Sequence, residues 1–129
     1  MGTREYDLGA AELEVLRVLW DAGPCTVRDT LNQLRRRGRR LAYTTVQTFL
    51  TRLEQKGFVR SDKSGLAHVF RARVSRAAIS RSKLRALLDQ MYDGAVGPLV
   101  LQLVESGRLT PEEIDQLQTL IERLDARDG

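Results

Sequence analysis

Between Arg39 and Arg73 the chain sets short hydrogen-bonding side chains and cations at spacings suited to an anionic, base-bearing polymer. Thr44, Thr48, Thr51 and Gln55 recur at helical intervals, flanked by Gln47 on one side and by Thr45 and Arg52 on the other. Threonine is an ordinary-to-poor helix former, so four of them on an exposed helical face are a local cost that a purely structural helix would avoid with Glu, Lys or Ala. Short polar side chains let a helix approach base edges closely, and threonine methyls suit the thymine methyl. Tyr43, Thr44, Thr45, Gln47, Thr48 and Arg52 are therefore the candidates for base-edge and neighbouring phosphate contact. Arg39, Arg40, Lys63 and His68 are the candidates for gripping phosphates.

The elements that must position these groups are readable on both sides. A helix over Ala10–Ala22 has Gly9 at its N-cap, Glu12 three residues later in a degenerate capping box, and an apolar stripe of Leu13, Leu16, Leu19 and Trp20. Gly23-Pro24 stops it. Thr26 with Asp29 opens a second helix whose Val27, Leu31 and Leu34 share a face, and Gly38 ends it. Five of the six residues 35–40 are Arg. Such a run suits a solvated surface that complements the helix dipole, and it equally suits a phosphate-contacting patch. The helix that follows it favours the second reading.

That third helix runs from Tyr43 to Lys56, buries Val46, Leu50 and Leu53 with Phe49 at the edge, and closes at Gly57. Phe58-Val59-Arg60 and Ala67 to Arg71 alternate in strand fashion around Lys63-Ser64-Gly65. Val59 and either Val69 or Phe70 should face the core, leaving Arg60, Lys63, His68, Arg71 and Arg73 for solvent or phosphate. Three helices and a basic hairpin in this order predict a mainly α fold whose N-terminal domain, residues 8–74, is a winged helix-turn-helix with a small β-hairpin wing.

Residues 75–126 read as a three-helix subdomain. Ser75 caps a helix to about Met91, Asp93-Gly94 breaks it, and a fifth helix spans Val96–Glu105 with Pro98 in its first turn. Thr110-Pro111-Glu112-Glu113 opens a sixth whose Ile114, Leu117, Ile121 and Leu124 step by three or four, with Leu120 widening the stripe. Three short helices cannot bury this much apolar surface by themselves; they either fold back on the winged domain as a monomer or, as the charge division favours, pack against a second copy, so Leu84, Leu87, Leu88, Met91, Leu99 and Leu101 join those four as candidates for a homodimer interface.

Charge divides the same way. Residues 1–74 carry 14 Lys and Arg against 8 Asp and Glu, and residues 75–129 carry 7 against 9. The basic half is suited to nucleic acid and the mildly acidic half to protein. With 42% hydrophobic and 5% aromatic residues, the core must rest on aliphatic side chains. Cys25 is the single cysteine, no apolar run approaches the length of a membrane span, and the N-terminus has no apolar signal core. A soluble, cytoplasmic protein is expected. His68, the one histidine, stands apart from Cys25, and no Cys/His cluster, phosphate-cradling glycine loop or paired carboxylates occur. No enzyme activity, metal or cofactor is expected.

The stretch Leu41-Ala42-Tyr43-Thr44-Thr45-Val46, with Thr51-Arg52-Leu53 and Lys56-Gly57, resembles the penicillinase-repressor (BlaI/MecI) family of winged-helix transcriptional repressors. Glu12 to Trp20, Leu99-Val100-Leu101 and Thr110 to Ile114 are similar to the same family, so the resemblance covers about residues 8 to 125. It implies a homodimer on palindromic operator DNA, control of β-lactamase or resistance-type genes, and release by proteolysis of the C-terminal region signalled by a membrane sensor-protease. Staphylococcal members are cut beside an Asn-Phe pair, and the aligned pair here is Gln102-Leu103. Copper-responsive relatives carry a C-terminal cysteine cluster, which this chain lacks. Two alternatives share the fold. One is a ligand-sensing regulator, disfavoured by the few aromatic or convergent polar residues in helices 4–6. The other is a protein-interaction module, disfavoured by the basic face with threonines.

Overall fold

A computed structural model describes residues 7–128. It contains six helices and one hairpin in the order α1 (Ala10–Ala22), α2 (Val27–Arg36), α3 (Tyr43–Gln55), β1 (Val59–Asp62), β2 (Val69–Ala72), α4 (Arg76–Tyr92), α5 (Val96–Glu105) and α6 (Pro111–Asp128). This is the winged helix-turn-helix followed by helices that the pattern predicted.

Local chemistry sets most boundaries. Glu12 Oε1 accepts from the Gly9 N–H at 3.0 Å, the half of a capping box that a glycine N-cap permits. Thr26 and Asp29 form the full reciprocal pair, at 3.0 and 3.1 Å, and so do Thr110 and Glu113, at 3.1 and 2.9 Å. Ser75 Oγ accepts from the Ala78 N–H at 3.0 Å to start α4. Gly57, at φ 84°, turns the chain from α3 into β1, a conformation that suits glycine.

The core of the first unit is aliphatic. Leu31 and Leu34 of α2 and Val46, Leu50 and Leu53 of α3 are buried as the spacing required. In α1 the buried set is Val15, Leu16, Val18 and Leu19, whereas Leu13 and Trp20 sit at the edge. The inward face is thus rotated from the predicted stripe, because α1 packs on α2, α3 and β2 together and two valines lie at the centre of that contact. The Trp20 indole N–H donates to the Val74 carbonyl at 2.8 Å, tying α1 to the chain leaving the hairpin.

β1 and β2 pair antiparallel with Val59 opposite Ala72, Arg60 opposite Arg71, Ser61 opposite Phe70 and Asp62 opposite Val69. Between the two inward candidates on β2 the structure chooses Phe70, which is buried, while Val69 is half-buried. Cys25 forms an isolated antiparallel bridge with Phe70 of β2. Its N–H donates to the Phe70 carbonyl at 2.9 Å and its carbonyl accepts from the Phe70 N–H at 2.8 Å. The turn between α1 and α2 is thereby bonded to the wing. Burial raises the Cys25 thiol above its ordinary pKa, consistent with a packed, unreactive side chain.

The chain divides into two compact units after Leu84, beyond the 74/75 boundary expected from sequence, because Ile79 and Ser82 in the first turns of α4 are buried with the first unit. In the second unit neither α5 nor α6 buries a residue among those described. Among the described residues, no helix is long and apolar enough to cross a membrane.

An ion pair closes the first unit between α1 and the end of α3. Lys56 Nζ lies 2.9 Å from Glu12 Oε1, and Glu12 Oε2 is buried with no partner among the described residues. Burial acts to raise the Glu12 carboxyl, but the Lys56 ammonium, the Gly9 N–H and the Arg52 charge outweigh it, so its pKa is lowered. A depressed folded value contributes stability above the unfolded pKa, and that stability is lost as pH falls through the folded one. Lys56→Met removes the ammonium's hydrogen bond and charge, leaving the Gly9 N–H and Arg52 against burial, and moves the carboxyl upward from its lowered value. Its stability deficit against the wild type should be greatest near neutral pH and shrink below about pH 4, measured by urea midpoints. A deficit that grows on acidification contradicts this account of the pair.

Candidate nucleic-acid interface

α3 turns Val46, Leu50 and Leu53 inward, which leaves two stripes presented outward. Tyr43, Gln47, Thr51 and Glu54 form one. They line a hollow of about 450 Å³ whose other walls are Thr26, Val27 and Arg28 from the start of α2 and Lys63, Leu66, Ala67, His68 and Phe70 from the hairpin. The α2 N-terminus contributes the positive end of a helix dipole, which suits a phosphate, with the Asp29 N–H of its first turn taken by the Thr26 hydroxyl.

Arg28 stacks on the Tyr43 ring, its guanidinium carbon 5.1 Å from the centroid. A cation in the first turn opposes the helix dipole, so Arg28 carries a cost at that position that an anion in the hollow would remove. The sequence reading missed it. The first-turn placement was the available signal.

Glu54 fixes the hairpin against α3. Its carboxylate accepts from the Ser61 N–H at 3.1 Å and the Ser61 hydroxyl at 2.5 Å. The Ser61 hydroxyl bond chiefly holds the Glu54 carboxyl below its usual pKa, with Lys63 and His68 adding to the effect against burial. At the tip, Asp62 Oδ1 accepts from the Ser64 N–H at 2.9 Å and shapes the turn. Ser64's hydrogen bonds lower the Asp62 carboxyl, with smaller help from Arg71 and Arg60. Those two arginines stand directly opposite each other on the outer face, a like-charge pair that destabilises a bare hairpin.

A second stripe, Thr44, Thr48 and Gln55, is fully outward. The Thr48 hydroxyl donates to the Thr44 carbonyl and the Thr51 hydroxyl to the Gln47 carbonyl, both at 2.9 Å. With their protons turned to the helix, these threonines offer a methyl and acceptor lone pairs to whatever lies outside.

A sequence profile described as penicillinase repressor matches residues 8–123. The chain belongs to the penicillinase-repressor family. It is 29% identical over 112 residues to the penicillinase repressor of Bacillus licheniformis, covering 87% of each chain. It is 24% identical over 123 residues to the methicillin resistance regulatory protein MecI of Mammaliicoccus sciuri, covering 95% of this chain and 99% of that one. The solution structure of the DNA-binding domain of the repressor BlaI matches with a TM-score of 0.51 at 25% identity, over 60% of this chain and 93% of that domain. The penicillinase-repressor family comprises transcriptional repressors rather than enzymes.

Of the residues singled out from sequence, Tyr43, Gln47, Lys63 and His68 are brought together at the hollow, and Thr44 and Thr48 lie on the adjoining stripe. Thr45 is half-buried and Arg52 exposed on the far flank of α3, where Arg52 acts on Glu12. The arginine run is split. Arg39 Nε pairs with Glu14 at 2.9 Å and Arg37 pairs with Asp21 at 2.8 Å, which also meets Arg76. Hydrogen bonds from Arg37 and Arg76 lower the Asp21 carboxyl. Arg35, Arg36 and Arg40 are exposed and form no ion pair among the described residues. Thr26, Val27, Arg28, Thr51, Glu54, Leu66, Ala67 and Phe70 also line the hollow and are absent from the sequence-derived contact set.

In the second unit of this penicillinase-repressor chain, Leu87, Met91, Leu101, Ile114, Ile121 and Leu124 are exposed, as is Leu84 at the end of the first. Leu88, Leu99 and Leu117 are half-buried. Gln102 and Leu103 are exposed within α5, and the Tyr92 hydroxyl donates to Gln102 Oε1 at 2.5 Å.

Proposed function

We propose that this protein is a homodimeric transcriptional repressor that binds palindromic operator DNA of β-lactamase or resistance-type genes. The observation that carries the reading is the hollow in which the α2 N-terminus, the Gln47 stripe of α3 and Lys63 and His68 of the wing converge. With α3 in a major groove, one sugar-phosphate strand fits that hollow. Arg28, Lys63 and His68 then meet its phosphates, while Gln47, Thr44 and Thr48 face base edges. The names of the relatives, a penicillinase repressor and a methicillin resistance regulator, support the class of genes.

Dimerisation is supported by the second unit. Helices of ten residues are marginal alone in water, and α5 buries nothing while exposing Leu101, Leu103 and Val104. A second copy packed on α5 and α6 would cover these side chains and set the spacing of two α3 helices.

Release by cleavage at Gln102-Leu103 would detach α6 from the rest and dissolve that interface. The bond lies inside α5, and a protease acting there must first unwind the helix. A membrane sensor-protease is the partner this reading assigns to that step.

The direct test is salt dependence. Log affinity for promoter DNA should fall linearly with log salt, with a slope of about −0.9 for each phosphate neutralised. Arg28→Ala together with Lys63→Ala should make that slope shallower by about two per protomer. An unchanged slope by fluorescence anisotropy removes both residues from the phosphate contacts, and salt-independent binding contradicts the DNA reading.

A further inference from the structure

Leu66, at the tip of the wing, is exposed to 109% of its reference area, although leucine is a residue that water disfavours. No described residue of its own unit covers it. Lys63 lies three residues before it in the same loop and lines the same hollow, and Arg60 and Arg71 stand opposite each other farther down the hairpin. Leu66 shares that hollow with Gln47 and Thr51 of α3.

We propose that Leu66 is a specificity-determining residue that enters the minor groove of the bound DNA beside the major groove read by α3. This inference rests on the DNA-binding reading above. A hydrophobic protein surface is a poor partner for one apolar side chain on a hairpin that carries Arg60, Lys63 and Arg71. A minor groove fits both features, since its walls are deoxyribose C–H groups and its rims are phosphates. At about 6 Å wide, the groove admits a hairpin tip and one side chain but not the whole ribbon. Apolar side chains are used as minor-groove contacts and wedges in other DNA-binding proteins.

The hollow supplies the geometry. A single sugar-phosphate strand separates a major groove from the adjacent minor groove. A strand lying between Gln47 and Leu66 therefore places the helix in one groove and the tip in the other. In the minor groove A·T pairs leave the floor open, whereas G·C pairs raise the guanine N2 amino group into the space the leucine needs. Leu66 thus imposes a preference for A·T at positions that α3 does not touch. The Asp62–Ser64 turn and the Glu54–Ser61 clamp hold the tip in place.

The test uses full-length protein and a duplex enriched from a random-sequence pool by the wild type. Pairs under the wing are set to A·T, G·C or inosine·C, the last with a G·C-like major groove and no minor-groove amino group. The wild type should bind the A·T and inosine·C duplexes alike and the G·C duplex about tenfold more weakly. Leu66→Ser should bind the A·T duplex about tenfold more weakly, with an unchanged salt slope and no remaining preference among the three. Leu66→Met should restore the wild-type pattern. Wild-type affinity and flank preference in Leu66→Ser overturn the proposal. A changed sedimentation coefficient of DNA-free Leu66→Ser also overturns it, by assigning the leucine to a protein contact. A wild type that enriches no duplex overturns the DNA-binding reading and this inference together, and it is told apart because the failure precedes any substitution.

Discussion

Leu101→Asp combined with Ile121→Asp yields a folded monomer that binds a full operator site about 100-fold or more weakly than the wild type. The two side chains are 62% and 55% exposed, on helices that bury nothing within one chain, so the substitutions leave the first unit's core untouched. The proposed interface between copies is another matter. Two carboxylates placed in an apolar seam must be desolvated or protonated, and either outcome opposes association. Linking two DNA-reading modules raises avidity by about 10²–10⁴ over a single module, and the monomer forfeits that gain. Analytical ultracentrifugation and gel shift on the same preparation check both halves of the expectation. A dimer that survives both substitutions places the interface elsewhere, and a monomer with undiminished operator affinity removes the need for one.

The second large effect concerns base reading. Gln47→Ala should lose about 1–3 kcal/mol on the preferred site and change which bases are tolerated there. Gln47 stands exposed at the mouth of the hollow, between Tyr43 and Thr51 on the same stripe of α3. Its amide offers both donors and an acceptor, whereas Thr48 and Thr51 have turned their hydroxyl protons back to the helix. That leaves Gln47 as the donor best placed to distinguish one base edge from another. Selection with the variant that returns the wild-type sequence preference takes Gln47 off the list.

What could be read from the chain alone follows from the range of the forces involved. Thr26 with Asp29 and Thr110 with Glu113 are reciprocal caps three residues apart, and both are present as the sequence indicated. Val46, Leu50 and Leu53 were legible because a buried helical face repeats with the helix period. The bond between Cys25 and Phe70 was not, since a single rung joining distant segments leaves no periodic trace. The inward set of α1 shifted because its packing partners, not its own amphipathicity, choose the face.

At the candidate site the same division holds. The helix–hairpin order and the threonine face directed attention to Tyr43, Gln47, Lys63 and His68, which do share a hollow. Arg39 looked like a free cation, but α1 brings Glu14 to within 2.9 Å of it. Arg28 belonged to a helix judged by its apolar face, and only the folded chain sets it over Tyr43. Leu66 was invisible because a leucine in a short loop is as easily packed as exposed until the loop has a shape.

The central claim is that two copies of α3, held by a dimer, read one operator. Rounds of selection from a random duplex pool with full-length protein test it most directly. The account requires an enriched inverted repeat whose half-site centres lie about one helical turn, 10–10.5 base pairs, or a multiple of it apart. Enrichment of isolated half-sites, or of no sequence at all, would contradict it.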